Sequence, residues 1–65
     1  MKILLKEIMD KQNLSFRQTE YKTKIPISSL HDIICGKSDP RMSTMEQLAK
    51  GLNVHIEELY ESEYK

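Results

Sequence analysis

KIPISSLHDIICGK, residues 24–37, decides the fold. Pro26 disfavours helical backbone at Ile25 before it, yet a proline is tolerated in the first turn of a helix. One helix therefore ends near Thr23 or Lys24, and another starts at about Pro26 or Ile27. Leu30, Ile33 and Ile34 give that helix one apolar face, at three- and four-residue spacing. Gly36 closes it, because glycine takes the left-handed backbone of a helix end at little cost. The other face carries Ser28, Ser29, His31 and Asp32. That face meets water, a partner protein or the edges of base pairs.

Outward from this helix, turn residues cut the chain into short pieces. Upstream, Ser15 is placed to cap a helix over residues 16–23, where two threonines and a tyrosine lower the propensity. Before it, Leu4, Leu5 and Ile8 in KILLKEIMDKQ give an amphipathic first helix, with Asn13 as a left-handed terminator. Downstream, KSDPR reads as a loop. Ser43 with Glu46 has the pattern of a capping box, opening a fourth helix with Met45, Leu48, Ala49 and Leu52 on its inner face. Asn53 ends that helix, and Ile56, Leu59 and Tyr60 belong to a short fifth. The tail ESEYK lacks apolar periodicity and is expected to fray. No run alternates as a useful strand does, so the fold class expected is all-α, with a domain over residues 1–61 and a tail over 62–65.

Composition narrows the function. At 65 residues the chain hides only about 60% of its unfolded surface, so its core must be economical or shared with a second copy. With 38% apolar and 31% charged residues it is globular. No stretch approaches the roughly 20 apolar residues of a membrane span, and MKILLKEIMD is too short in apolar residues for a signal peptide. A single cysteine, Cys35, excludes an internal disulfide, and no Cys/His spacing suggests zinc. A cytoplasmic protein with neither metal nor cofactor is the expectation. Net charge is zero, but unevenly spread. Residues 17–41 hold five basic residues against three acidic, and residues 46–65 hold two against five.

Two short helices joined by about three residues, the second with a polar outer face, have helix-turn-helix spacing. The run LSFRQTEYKTKIPISSLHDIICGKSDPRMSTMEQLAKGLNVHIEELY resembles the XRE/Cro-type helix-turn-helix domain of phage and bacterial repressors. The resemblance runs from Leu5 to about Tyr60 and is carried by Leu14–Ser15, SSLHDIICGK, STMEQLAKGLNV and IEELY. It implies a compact, five-helix, lambda repressor-like domain with the helix-turn-helix in helices 2 and 3. It also implies that helix 3 enters the major groove of double-stranded DNA through Pro26, Ile27, Ser28, Ser29, His31 and Asp32. Leu30 and Ile33 match core positions. Phe16 stands where the family often has a glutamine that meets a phosphate, next to Arg17, and Lys37, Ser38 and Arg41 match the loop beside the DNA backbone. Lys22 adds a further phosphate contact. Five positions depart from the usual pattern. Thr19 replaces a core Leu or Val, Glu20 an Ala, Lys24 a Gly, and Met9 with Ile34 an Arg–Glu pair.

Serine and histidine reach base edges without the bidentate fork of Arg on guanine. Ile27 suits a thymine methyl, and Asp32 suits cytosine N4. Modest specificity per half-site argues for a homodimer on a palindromic operator, with its surface near Met42, Ile56, Leu59 or Tyr60. The function expected is sequence-specific regulation, by repression. A protein-interaction module on the same fold, such as an antitoxin or phage accessory factor, is the alternative. An enzyme is not expected, because no nucleophile–base pair, metal cluster or phosphate-binding glycine loop is visible. Cys35 reads as a half-buried filler, and Met1, Met9, Met42 and Met45 as core or rim packing. Tyr21, Tyr60 and Tyr64 are not interleaved with basic residues, which argues against stacking on single strands.

Overall fold

Each helix forms where the apolar spacing places it. The computed structural model describes residues 2–64, so Met1 and Lys65 lie outside the described residues. The elements are β1 (Lys2–Ile3), α1 (Leu5–Lys11), α2 (Phe16–Thr23), α3 (Ile27–Cys35), α4 (Met42–Leu52), a 3-10 turn (Ile56–Glu58) and β2 (Tyr60–Glu61). The radius of gyration is 10.6 Å, against about 11 Å for a compact chain of this length.

Left-handed residues mark the breaks between helices. Asn13, Lys24 and Asn53 have φ of 56°, 60° and 57°, and Gly36 has φ of 77°. At the end of α3 the N–H of Lys37 donates to the carbonyl of Asp32 and that of Gly36 to Ile33, which satisfies the last turn. At the start of α2, Ser15 accepts from the N–H of Gln18, and the Gln18 side chain accepts from the N–H of Ser15. This reciprocal capping box goes beyond the serine cap expected from the sequence.

The core gathers Leu5, Met9, Ile25, Leu30, Ile33, Met45, Leu48, Ala49, Leu52 and Leu59. Ile34 packs against it half-buried, and Met9 lies within it. Thr19 and Thr23 are buried too. Their hydroxyls donate to the carbonyls of Ser15 and Thr19, one turn back, so each polar group is satisfied within its own helix.

α2 packs on both α4 and α3, and its closest approach to α4 is at Gly51. A Cβ there would stand 2.6 Å from the Lys22 carbonyl oxygen and 2.7 Å from the Thr23 Cα. Both are backbone atoms with nowhere to go. Beside it, Gln47 donates to the Thr23 carbonyl at 2.8 Å. Gln12 likewise donates to the Leu52 carbonyl at 2.9 Å, joining the end of α1 to the end of α4.

Four sequence expectations need correction. Among the described residues the helices number four, because the fifth shrinks to one 3-10 turn, in which the Glu58 carboxylate accepts from the His55 N–H. The tail does not simply fray: Glu61 pairs antiparallel with Lys2, and Tyr60 with Ile3. Two-residue strands are too short to show alternation, so this sheet is invisible in the sequence. The capping box at Ser43 and Glu46 does not form. Arg41 is the extended residue before α4, its carbonyl accepts from the Met45 N–H, and Ser43 already lies inside the helix. Leu59 is 0% exposed, so it is a core residue and not part of a surface for a second copy.

Two outcomes are expected. Gly51→Ala should cost about 1–3 kcal/mol through overpacking, seen as a thermal midpoint lower by roughly 4–8 °C per kcal/mol. An unchanged midpoint would show that α2 and α4 can separate freely there. Leu59→Asp should abolish the helical circular dichroism, since it buries an unpaired charge, whereas a folded monomer would place Leu59 on a surface after all.

Candidate nucleic-acid interface

α3 has two faces with different fates. Leu30 and Ile33 are buried, while Ser28 and His31 are exposed and Ile27 is 37% exposed. Ser29 and Asp32 are half-buried on its flanks, and Pro26 is exposed just before it. The helix therefore presents a short polar strip with an isoleucine at its leading end. This is the helix on which the sequence places most of the candidate site.

His31 is held from two sides. Its ring lies 5.8 Å from the Phe16 ring, centroid to centroid, with the planes tilted by 41°. Its Nδ1 lies 3.5 Å from the Cys35 sulfur, one turn on. Phe16 is half-buried against the core, and the Lys6 Nζ stands 5.9 Å from the centre of its ring. Phe16 thus serves as packing that links the start of α2 to the outer face of α3, and it offers no side-chain donor to a phosphate. Cys35 is exposed, which corrects its reading as a half-buried filler. The i, i+4 spacing from His31 was the signal for this, since residues so spaced share a helix face.

The cations sit on either side. Arg17 and Lys22 are exposed on α2 and line one shallow groove with Leu14, Gln18 and Tyr21. Tyr21 is 86% exposed there. The sequence set it aside for want of a basic pattern, yet one helical turn brings it between Arg17 and Lys22. Lys37, Ser38 and Arg41 are exposed on the segment from α3 to α4. Ser38 borders a different cleft, shared with Lys2, Lys6 and Ile34. Among the described residues the one ion pair is Lys6–Asp10, at 3.0 Å. Among the described residues, the cations of α2 and of this loop make no ion pair.

The start of α3 holds a contact that sequence reasoning missed. Pro26 occupies the cap position and has no side-chain acceptor to offer. Glu20, on α2, supplies one: its Oε2 accepts from the Ile27 N–H at 3.1 Å. Local capping patterns span three residues, whereas this bond spans seven and crosses the turn. Only the fold brings its partners together.

A family model described as helix-turn-helix matches residues 5–59. None of the curated proteins and none of the solved structures compared with the chain matches it.

Proposed function

This chain belongs to the XRE/Cro-type helix-turn-helix family, a family of DNA-binding domains, and on that premise we propose that it is a sequence-specific transcriptional regulator of double-stranded DNA. The observation that carries this is the polar strip of α3, exposed along Ser28 and His31, with exposed cations to either side that make no ion pair among the described residues.

In this reading α3 lies in the major groove, as the second helix of such a motif does. Ser28, Ser29 and His31 meet base edges by single hydrogen bonds. Ile27 meets a thymine methyl, and Asp32 accepts from cytosine N4. The ring contact with Phe16 and the sulfur of Cys35 hold the imidazole of His31 in one orientation. Arg17, Lys22, Lys37 and Arg41 meet phosphates and fix the register without reading sequence.

Each half-site then offers few strong contacts, so two copies on a palindrome supply the affinity that one lacks. The second copy does not use Leu59, which is buried. Met42, 65% exposed at the start of α4, is the residue of that region most open to a partner. Repression follows by occupying a promoter, which asks nothing of the protein beyond binding.

The test is selection of bound duplexes from a random library at two salt concentrations, followed by sequencing. A palindrome with half-sites about one helical turn apart, lost steeply as salt rises, is the expected result. Lys37→Ala should weaken every duplex alike and lower the salt slope by about one. His31→Ala should leave that slope unchanged and relax the choice at one position of each half-site. No enrichment at either salt, from a folded sample, would turn the search to protein partners of the same surface.

A further inference from the structure

The carboxylate of Glu20 is a charged group at the start of α3 that the DNA-binding reading leaves unused. The first N–H groups of a helix have no partner within it, and together with the helix dipole they make a ready seat for phosphate. In α3 the first of these donors is taken. The Ile27 N–H donates to Glu20 Oε2 across the turn, and the other oxygen of Glu20 has no hydrogen bond among the described residues. A negative charge therefore stands at the helix end that would lead into the groove. It stabilises the helix through the dipole and repels any phosphate that approaches. The chain has no general positive charge to override that repulsion, since its ten basic residues match ten acidic ones.

We propose that Glu20 sets the preference of this protein for its own site over other DNA. It positions the start of α3 through Ile27 and denies that end to phosphate. Sequence-independent attachment, which rests on phosphates, is weakened. A cognate site is one whose base edges hold α3 while its phosphates lie clear of the carboxylate. This inference rests on the DNA-binding reading and adds a discriminating residue to it.

The experiment compares the wild-type chain with Glu20→Gln and Glu20→Ala. Each is titrated with the duplex enriched by the wild type and with a random-sequence duplex of equal length, over a series of salt concentrations. Glutamine keeps an acceptor for Ile27 and removes only the charge, so its melting point should stay near that of the wild type. It should bind the random duplex about fivefold tighter, the factor that one like-charge contact in water is worth. Its salt slope should steepen by about 0.9. The enriched duplex should gain less, so the ratio between the two narrows. Glu20→Ala should show the same narrowing with a lower melting point, because the cap is lost as well. Equal gains on both duplexes, or none on the random one, would overturn the role of Glu20 while leaving the DNA-binding reading in place. If no chain binds either duplex, that reading falls and takes this inference with it.

Discussion

The rest of the structure depends on the left-handed backbone at Lys24. With φ of 60° and ψ of 26°, this residue ends α2 and turns the chain toward α3. For a side chain other than glycine that conformation costs about 1–2 kcal/mol. The surroundings offset the cost. The Lys24 N–H donates to the Glu20 carbonyl at 2.7 Å, and the turn delivers Ile25 into the core. The Ile25 N–H, buried with it, donates to the Thr23 hydroxyl at 3.3 Å. From Thr23 the constraint passes to α4, because Gln47 holds its carbonyl and Gly51 lets the two backbones touch. The direction of α3 is thus set by the end of α2, and the end of α2 is set by α4.

This arrangement separates the groups that hold the fold from those that are free to bind. Leu30 and Ile33 fix α3 to the core, and His31 leans on Phe16. Ser28 and the cations of α2 have no such task. The short sheet closes the domain through other residues: Lys2 and Ile3 pair with Glu61 and Tyr60, and the Leu4 N–H donates to the Leu59 carbonyl at 2.7 Å. Acidic residues near that closure, Glu57, Glu58 and Glu61, are exposed. A net charge of zero therefore conceals a basic side along residues 17–41 and an acidic end. For a helix-turn-helix domain, it is the local field at the reading face that steers a polyanion, while the total is a poor guide.

What the sequence made legible was whatever depends on near neighbours. α1, α3 and α4 followed from apolar spacing and α2 from its serine cap and the break at Pro26, and α3 was bracketed within a residue by Pro26 and Gly36. Asn13 and Asn53 turned left-handed as single residues of that type do. The errors came where two patterns competed or where partners were far apart. Ser43 and Glu46 copy a capping box, yet α4 starts two residues earlier, behind Arg41, so the pattern falls inside a helix. Leu59 and Tyr60 seemed one face of a helix, but Leu59 enters the core and Tyr60 joins a strand. Their partners stand more than 50 residues away, at Ile3 and Leu4, and no local pattern encodes that distance. In the candidate site, exposure of Ser28 and His31 was readable from helical phase, while the pairing of Phe16 with His31 needed the crossing of α2 and α3.

The departures from the usual family pattern at Thr19, Glu20 and Lys24 answer to one another. Thr19 takes a place that commonly holds a larger apolar side chain, and it is still 0% exposed, so α2 and its neighbours close around a smaller group. A smaller group brings less apolar attraction between helices. Two hydrogen bonds tie α2 to its neighbours there: the Gln47 side chain donates to the Thr23 carbonyl, and the Ile27 N–H donates to the Glu20 carboxylate. Apolar packing tolerates a small sliding of helices, whereas a hydrogen bond weakens steeply once its angle opens. Of these two, the bond from the Ile27 N–H to Glu20 is the one that joins α2 to α3. The angle between the two helices of the motif is therefore held in part by a carboxylate that also faces the polyanion the motif would bind. Phosphate near that carboxylate competes with it for the Ile27 N–H. Holding the reading helix and resisting the backbone of DNA are two consequences of a single side chain.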